Sequence, residues 1–417
     1  MRKILIIGAG QSGLQLALGL QSKGYEVTLM SNRTADEIRS GRVMSTQCMF
    51  HTALQHERDL QINFWESQAP RIEGLGVSVA APGSFESPEG SQRAIDWVGK
   101  LDAYAQSVDQ RVKMAGWMET FAQRGGQLVI HGAAVSDLDF FASRYDLTLV
   151  SAGKGELVSM FGRDATRSPY DTPQRALAVA YVHGMGPRPE HPEFDAVRCN
   201  LVPGVGELFV MPTYTTSGRA DILFWEGIPG GPLDVFQGVK DPNEHLALTL
   251  ELLEKFLPWE YARCTNVELT DANGTLAGRY APTVRNPIGK LPSGGLVLGV
   301  ADVVVANDPI TGQGSNSASK CAAAYLDAIV EHGDKPFDAD FMQGAFDRYW
   351  ATAQHVTKWT NAMLAPPPEH VLNYIGAAGQ LQPAADRFAN GFNDPSDFEN
   401  FFYDPDKAGA YLASLTA

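Results

Sequence analysis

Three glycines near the N-terminus have the spacing of a loop that binds the pyrophosphate of a dinucleotide. Gly8, Gly10 and Gly13 form a GxGxxG motif directly after an apolar run. In such a loop the first glycine permits a tight turn, the second lets the backbone approach the phosphates, and the third lets the following helix pack closely. The first N–H groups of that helix then face the phosphates. A glycine-rich turn without a ligand is the alternative interpretation.

A second group of residues could act on a flavin ring. Asp302 ends an apolar run, and Gly312, Gln313, Gly314 and Ser315 then open a long helical pattern. The positive end of a helix can stabilise negative charge on the N1–C2=O edge of a reduced flavin. A carboxylate such as Asp302 can accept hydrogen bonds from ribityl hydroxyls. An ordinary helix that follows a surface loop is the alternative.

Regularly spaced apolar residues define the elements that would hold these groups. Residues 3–7 and 25–30 have the pattern of buried strands, and residues 11–23 between them have the apolar spacing of a helix. Together they form the strand–helix–strand unit that the glycine fingerprint requires. The second strand is followed by Asn32 and Arg33 instead of the usual acid. Asn32 can still hydrogen-bond a ribose. Arg33 could attract a phosphate, so a cofactor with a 2′-phosphate stays an alternative.

The remaining patterns fall into three groups. Strands at 125–130 and 145–150 would join the nucleotide-binding sheet, and a small-residue turn at 151–153 follows the second. Three antiparallel strands would cover a substrate cavity: 176–182, 208–211 and 222–225. Residues 335–417 are helical in pattern, and their aromatic side chains are expected in the core: Phe341, Phe346, Tyr349 and Trp359.

The composition describes a globular protein and excludes several functional classes. The 417 residues are 44% apolar and 19% charged, which is too apolar for a disordered chain. The net charge of −15 argues against nucleic acid, because phosphates need a basic surface. No run of about 18 apolar residues is present, so no membrane-spanning helix is expected. The four cysteines lack metal-binding spacing, which predicts no metal site and a reducing, cytoplasmic location.

These segments together resemble the FAD-dependent hydroxylases typified by p-hydroxybenzoate hydroxylase, whose Gly-Asp motif is Ala301-Asp302 here. The chain is more specifically similar to the oxygenase component of two-component styrene and indole monooxygenases. That similarity extends from end to end and is carried by four stretches: Gly41–Thr46, Gly206–Pro212, Asp308–Gly314 and Trp359–Asn361. No second GxGxxG motif for NAD(P)H is visible, but single-component hydroxylases of this fold also lack one, so NAD(P)H binding is not excluded on that ground. No fused reductase domain is visible either, as expected of an oxygenase that receives reduced flavin from a separate protein.

Residues 42–50 indicate the indole branch of that family. The styrene enzymes carry Asn, Val and His at three alternate positions where this chain has Ser45, Gln47 and Met49. If the stretch is a strand, these side chains point into one cavity. A hydroxyl and an amide there could bind the N–H group of indole, which styrene lacks, and a site that pairs such a donor discriminates well against an analogue without it. An ordinary half-buried strand is the alternative.

The resemblance implies an FADH2-dependent monooxygenase. FADH2 from a separate NADH:flavin reductase would react with O2, and the resulting C4a-(hydro)peroxyflavin would epoxidise the C2–C3 bond of indole, leading to indoxyl and indigo. Styrene-type alkenes are the further substrates. The alternatives are a styrene monooxygenase proper and a single-component aromatic hydroxylase that binds NAD(P)H itself.

Two other classes are less well supported by the sequence. A flavin-dependent halogenase is disfavoured because no Trp-x-Trp-x-Ile-Pro motif is present. A catalytically silent member of the fold that binds protein or lipid is opposed by Asp302 and the Gly312–Gly314 loop. The oligomeric state stays open, with a homodimer as one expectation.

The resemblance also assigns roles to individual residues. Those expected to bind FAD are Gly8, Gly10, Gly13, Asn32, Arg42, Asp302, Gly312, Gln313, Gly314 and Ser315. Those expected to line the substrate cavity and act in catalysis are Ser45, Thr46, Gln47, Met49, Met211 and Pro309, with Thr46 placed to order water. An apolar wall is expected from Ile72, Leu75 and Ala94.

The predicted fold class is α/β, with a GxGxxG Rossmann-like FAD-binding fold interleaved with an antiparallel-sheet substrate domain. A C-terminal helical region follows. The FAD-binding domain would be discontinuous, at 1–50, 95–170 and 290–335. The substrate domain would take 51–94 and 171–289, and the helical region 336–417.

Overall fold

The computed structural model describes residues 2–152 and 155–416, so Gly153 of the predicted small-residue turn lies outside the described residues. The strands are β1 (Lys3–Ile7), β2 (Glu26–Ser31), β3 (Ile72–Ala80), β4 (Arg93–Ala105), β5 (Gln127–Ile130), β6 (Leu147–Val150), β7 (Ala176–His183), β8 (Asp195–Val202), β9 (Gly206–Thr215), β10 (Gly218–Gly227), β11 (Glu268–Leu269), β12 (Thr275–Gly278), β13 (Thr283–Val284), β14 (Ile288–Lys290), β15 (Leu296–Gly299) and β16 (Val305–Ala306). The α-helices are α1 (Gln11–Ser22), α2 (Ala35–Arg39), α3 (His51–Asp59), α4 (Gln110–Gln123), α5 (Val135–Ala142), α6 (Pro242–Phe256), α7 (Pro258–Tyr261), α8 (Gly314–His332), α9 (Ala339–Leu364), α10 (Glu369–Ala378), α11 (Gln382–Asn390), α12 (Phe398–Phe401) and α13 (Pro405–Ser414).

A six-stranded sheet carries the glycine motif. Its strand order is β14-β15-β6-β1-β2-β5, and all neighbouring pairs are parallel except β14 with β15. Ile7 pairs with Val150, and Val150 pairs with Gly299. The carboxyl ends of β1, β6 and β15 therefore meet at one edge of the sheet, which is where open α/β sheets bind their ligands.

The strand–helix–strand unit forms because its apolar residues are buried as the sequence predicts. Leu14, Ala17 and Leu18 on α1 are at most 1% exposed. Gly24, with φ of 82°, follows the end of the helix, where the left-handed conformation lets the chain turn into β2. The first 31 residues thus confirm the predicted Rossmann-like unit.

A second sheet of eight strands has the order β11-β7-β10-β9-β8-β3-β4, with β12 also paired to β7. The predicted antiparallel strands at 176–182, 208–211 and 222–225 are its neighbouring strands β7, β9 and β10. One face packs on α6 and α7. The other packs on the C-terminal helices and carries Tyr181, Phe209, Met211, Ile222 and Phe224.

Strand β4 corrects one predicted boundary. It pairs with β3 from Ile72↔Ala105 to Ala80↔Arg93, so it belongs to the eight-stranded sheet. The FAD-binding segment predicted to begin at residue 95 therefore begins inside a substrate-sheet strand. The sequence around residue 95 lacks a turn signal because β4 is a single strand of 13 residues. The division into domains otherwise stays a prediction.

Helix α9 joins the two parts of the molecule. Phe341, Phe346 and Tyr349 in its first half are buried in the core around the six-stranded sheet. Trp359 in its second half is buried in the core between the eight-stranded sheet and the C-terminal helices. All four aromatic residues are core residues, as predicted. Within residues 2–152 and 155–416, no helix combines the length and the apolar character that a membrane span needs.

Candidate functional site

Of the three glycines in the loop, only Gly10 has open space where a side chain would begin. Gly8 has φ of 111°, and a Cβ there would lie 2.9 Å from the backbone of Ser151. A Cβ on Gly13 would lie 2.0 Å from the carbonyl oxygen of Gly8. A Cβ on Gly10 would meet none of the described atoms within 4 Å. The fold therefore needs Gly8 and Gly13, whereas the free space at Gly10 fits a pyrophosphate that lies against the backbone.

Helices α1 and α8 both start without a capping side chain in the described chain. Their N-cap residues are Gly10 and Gln313, and the first turn of neither helix carries an acid. By contrast, Asp109 and Asp241 cap α4 and α6. The first N–H groups of α1 and α8 are thus available to an anionic ligand, and the helix dipoles favour negative charge there. Both observations fit the phosphates and the reduced ring of FAD.

Ala301 occupies the position of the expected glycine in a left-handed conformation, with φ of 51°. Its N–H donates to Sγ of Cys321 at 3.3 Å, and the hydroxyl of Tyr325 donates to the carbonyl oxygen of Gly299 at 2.9 Å. These contacts from α8 hold a turn that costs about 1 kcal/mol for a residue with a Cβ. The turn places the exposed side chain of Asp302 at the end of β15.

The loop that opens α8 presents backbone rather than side chains. Gly312 has φ of 62°, and Cβ atoms on Gly312 and Gly314 would meet none of the described atoms within 4 Å. The side chain of Gln313 is buried, and its Nε2 donates to the carbonyl oxygen of Phe392 at 2.9 Å. The Nε2 group of Gln313 is therefore committed to the C-terminal region, whereas its Oε1 has no hydrogen-bond partner among the described residues. Ser315 is half-buried in the first turn of α8.

Asn32 and Arg42 are both exposed. Asn32 directly follows β2 at the carboxyl edge of the sheet, where a ribose would lie. The pKa of His245 on α6 is lowered to about 4 by burial and, second, by the charge of Arg42. Arg42 therefore lies on the side of the molecule that α6 covers, and its contact with flavin stays a prediction.

Residues 42–50 are not the regular strand that their alternation suggested. Within the described chain their ladder pairing is limited to Met49, which exchanges N–H···O bonds of 2.8 and 3.0 Å with Gln106. Ser45 is exposed and its Oγ accepts from Nε2 of Gln110 at 2.6 Å, whereas Gln47 and Met49 are buried. The prediction of a strand is therefore wrong, because a single bridge does not impose a period of two. That the three side chains line one cavity stays a prediction.

Gln47 holds a buried acceptor without a partner among the described residues. Its side chain is 4% exposed, Nε2 donates to the carbonyl oxygen of Val108, and Oε1 accepts no hydrogen bond. An unpaired buried acceptor costs about 1–3 kcal/mol. Such an atom is suited to a ligand that brings its own N–H or O–H donor.

The apolar side of the expected cavity comes from the eight-stranded sheet. Met211, Ile72 and Leu75 are buried in the cluster that contains Val43, Cys48 and Phe50 of the neighbouring segment. Thr46 and Pro309 are half-buried. Ala94 is exposed on β4, so the prediction that it completes the wall is wrong.

Asn316 is a residue that sequence reasoning did not place in the site. Its Oδ1 accepts from the N–H of Phe50 at 2.9 Å, and its Nδ2 donates to the carbonyl oxygen of Cys48 at 2.8 Å. The side chain is 1% exposed. Asn316 therefore ties the first turn of α8 to the segment that carries Gln47 and Met49. Its place in the Asp308–Asn316 stretch is the signal that could have pointed to it.

A buried ion pair supports the glycine loop and was also missed. Nζ of Lys113 on α4 lies 2.8 and 3.1 Å from the two carboxylate oxygens of Glu57 on α3. Nε2 of Gln11, a residue of the glycine motif, donates to the same Glu57 at 3.0 Å and to Gln15 at 3.2 Å. Gln15 in turn donates to the carbonyl oxygen of Ser319 at 3.0 Å. The network connects α1, α3, α4 and α8 directly behind the expected flavin site.

Comparisons with known proteins find similar sequences over nearly the whole chain. A family model for the styrene monooxygenase A substrate-binding domain matches residues 153–263. Styrene monooxygenase StyA of Pseudomonas fluorescens is 31% identical over 420 residues, which cover 98% of this chain and 97% of that protein. A second styrene monooxygenase StyA, of a Pseudomonas species, is 30% identical and covers 99% of this chain and 98% of its own length.

Solved structures share the fold. The flavin-dependent brominase Bmp2 superposes with a TM-score of 0.64 at 14% identity, over 99% of this chain and 93% of that chain. The tetrameric form of 2-methyl-3-hydroxypyridine-5-carboxylic acid oxygenase gives a TM-score of 0.54 at 14% identity, over 93% of both chains. At such identities the likeness concerns the fold alone, and it confirms the predicted α/β flavoprotein architecture.

Proposed function

The chain belongs to the styrene monooxygenase A family, and we propose that it is the FADH2-dependent oxygenase of a two-component system that epoxidises an aromatic alkene. The StyA relatives, which match over nearly the whole chain, are styrene monooxygenases and support a styrene-type alkene as substrate. The C2–C3 bond of indole is the finer part of the proposal. A separate NADH-dependent reductase would supply the FADH2.

Different groups of the described residues would bind FAD and exclude water from the substrate. Reduced FAD, when bound, supplies the activation of O2 and the transfer of one oxygen atom. The N–H groups at the start of α1 and the open space at Gly10 would hold the pyrophosphate. The start of α8 and Asp302 would hold the ring and the ribityl chain. The buried face around Met211 excludes water from the substrate side.

The single observation that favours indole is the unpartnered Oε1 of Gln47. Indole carries an N–H donor that can satisfy this acceptor, and styrene does not. Ser45, the other polar residue of the predicted triplet, already accepts from Gln110 and is exposed. The preference for indole therefore depends on Gln47 more than on Ser45.

Parallel turnover of indole and styrene with chemically reduced FAD and O2 tests the proposal. We expect epoxidation of both, with indole favoured in the wild-type protein. Gln47→Leu, which replaces the amide with an apolar side chain of similar size, should lower kcat/KM for indole about tenfold or more and leave styrene nearly unchanged. Ser45→Ala is the matched control and should change the ratio little.

Each negative result of these turnover experiments would reject a different part of the proposal. Faster turnover of styrene by the wild-type protein, or equal losses for both substrates in Gln47→Leu, would reject indole and leave the styrene-type function standing. No product from either alkene would reject the function as a whole. NADH oxidation by the isolated protein would support the single-component hydroxylase instead.

A further inference from the structure

A closed cycle of hydrogen bonds links three helices behind the expected cofactor site. Nε2 of Gln11 on α1 donates to Oε1 of Glu57 on α3 at 3.0 Å and to Oε1 of Gln15 at 3.2 Å. Nε2 of Gln15 donates to the carbonyl oxygen of Ser319 on α8 at 3.0 Å. The hydroxyl of Ser319 donates to the carbonyl oxygen of Ala53 at 3.0 Å. Ala53 and Glu57 lie one turn apart on α3, so the hydrogen-bond cycle closes there.

All five members of the hydrogen-bond cycle are buried, and Glu57 is the charged one. Their side chains are at most 6% exposed. Nζ of Lys113 lies 2.8 and 3.1 Å from the two carboxylate oxygens of Glu57. The same Oε1 that accepts from Lys113 at 2.8 Å also accepts from Gln11. The lysine therefore balances the buried charge while the carboxylate remains the acceptor that closes the cycle.

Helices α1 and α8 lie side by side and run in the same direction. Gln15 contacts Ser319, and one turn further along α1 a Cβ on Gly19 would lie 2.7 Å from Cδ2 of Leu326. The contacts advance together along both helices, so both helices start at the same edge of the six-stranded sheet. The close approach at Gly19 fixes their separation further along, and the hydrogen-bond cycle links them nearer their starts.

The two helix starts are the two halves of the expected cofactor site. The start of α1 would face the pyrophosphate of FAD, and the start of α8 would face its isoalloxazine ring. A ligand that spans two subsites gains affinity over its separate halves only if the subsites keep the distance that the ligand requires. FMN and AMP are the two halves of FAD. The distance between the helix starts should therefore affect the binding of FAD more than the binding of either half.

We propose that Glu57 is a positioning residue that acts through Gln11 and the hydrogen-bond cycle. It sets the distance between the starts of α1 and α8, and this distance determines the affinity for intact FAD. The role rests on the proposed function, because FAD is the ligand that would span the two helix starts. Lys113 supports the role by balancing the charge of the carboxylate. Neither side chain takes part in the chemical step.

Two double variants separate the acceptor from the ion pair. Glu57→Gln/Lys113→Met removes both charges and keeps an oxygen that can accept from Gln11. Glu57→Leu/Lys113→Met removes both charges and the acceptor as well. Neither variant leaves a buried charge without its partner, so both should fold. Asp241→Ala is the control for a general loss of stability, because Asp241 caps α6 on the other face of the eight-stranded sheet.

Amide hydrogen exchange without any flavin tests whether Glu57 holds α1 against α3. The amides of residues 14–18 and 54–58 should exchange about tenfold faster in Glu57→Leu/Lys113→Met than in Glu57→Gln/Lys113→Met, because local opening is easier without the acceptor. The amides of residues 246–256 in α6 should exchange at the same rate in both variants. Equal exchange of residues 14–18 in the two variants would overturn the proposal, whatever the protein does with FAD.

The effect on the cofactor is tested with oxidised FAD, FMN and AMP as probes. Flavin fluorescence gives the Kd of FAD and FMN, and competition with FAD gives the Kd of AMP. Glu57→Leu/Lys113→Met should weaken FAD binding about tenfold and change FMN and AMP binding by less than about twofold, because both subsites stay intact and only their distance changes. Glu57→Gln/Lys113→Met and Asp241→Ala should keep all three Kd values near those of the wild type.

Three results would overturn the positioning role. The first is an equal weakening of all three ligands in Glu57→Leu/Lys113→Met, which would mean a general loosening of the site. The second is an unchanged FAD affinity in that variant. The third is the same loss of FAD affinity in Glu57→Gln/Lys113→Met, which would assign the effect to the ion pair. If the wild-type protein binds none of the three ligands, the proposed function fails, and the exchange rates still decide whether Glu57 holds α1 in place.

Discussion

Lys113 and Glu57 form an ion pair in which Nζ lies 2.8 Å from Oε1, and the two side chains are 1% and 0% exposed. The pair lies directly behind the glycine loop, because Gln11 of that loop donates to the same carboxylate. Burying the two charges costs solvation free energy, and their mutual attraction offsets this cost only while both charges are present. Removing one partner is therefore more harmful than removing both.

Lys113→Met should lower the free energy of unfolding by about 3–5 kcal/mol, because it leaves the Glu57 carboxylate buried and unpaired. The double variant Glu57→Gln/Lys113→Met should recover most of the loss. Urea unfolding followed by circular dichroism measures both. A double variant as unstable as the single one would show that the pair itself, and not the orphaned charge, stabilises the fold.

Gly10→Ala and Gly13→Ala separate ligand binding from folding. The Cβ of Gly10→Ala enters open space, so the melting temperature should stay within about 2 °C while FAD binding weakens at least tenfold. The Cβ of Gly13→Ala would lie 2.0 Å from the oxygen of Gly8, so stability and binding should both fall. Thermal unfolding without FAD and FAD titration are the two measurements. Unchanged FAD affinity in Gly10→Ala would mean that the pyrophosphate lies elsewhere.

Ala301→Gly should not destabilise the protein, although most Ala→Gly changes do. The left-handed backbone at φ of 51° costs a residue with a Cβ about 1 kcal/mol, and glycine removes this strain. We expect a free energy of unfolding equal to or up to about 1 kcal/mol above that of the wild type. Ala318→Gly, inside α8, is the control and should lose about 1 kcal/mol. Equal losses in both variants would mean that the turn is not strained.

We expect Asp308 to make the free energy of unfolding depend on pH. Its folded-state pKa of about 6 lies above the ordinary value of 3.8 because the carboxyl group is buried, so the folded protein binds the proton more tightly and stability declines as pH rises from about 4 to about 6. Asp308→Asn removes that cost and keeps a side chain that can cap the turn Pro309–Thr311. It should match the wild type near pH 4 and exceed it above pH 6.5, by up to about 3 kcal/mol. Chemical unfolding at several pH values tests this, and a constant difference between the two proteins would contradict it.

The sequence predicts those parts of the fold that short segments determine. The β1–α1–β2 unit needs only the glycine spacing and two kinds of apolar periodicity, all within 31 residues. The strands β7, β9 and β10 and the buried aromatic residues of α9 were recognisable for the same reason. The apolar pattern of each of these elements can be recognised in its own segment, without knowledge of its contacts with the rest of the chain.

The site contains relationships that no local pattern reveals. Ser45, Gln47 and Met49 alternate as in a strand, but their segment has no partner strand and pairs only at Met49 within the described chain. Lys and Glu usually lie at the surface, but Lys113 and Glu57 are buried because α1, α3, α4 and α8 pack around them. Glu226 continues an apolar strand, and its two carboxylate oxygens are buried without a hydrogen-bond partner among the described residues. Each case depends on contacts between distant parts of the chain.

The Asn316 contacts have a consequence for how such an enzyme can be altered. One amide holds the backbone at Cys48 and Phe50 and, at the same time, forms part of the helix start that would face the cofactor. A mutagenesis library confined to residues 45–50 will therefore change cofactor retention together with substrate range. Directed evolution towards a new alkene should accordingly collect compensating changes near the start of α8, and selection for product alone will favour pairs of mutations over single ones.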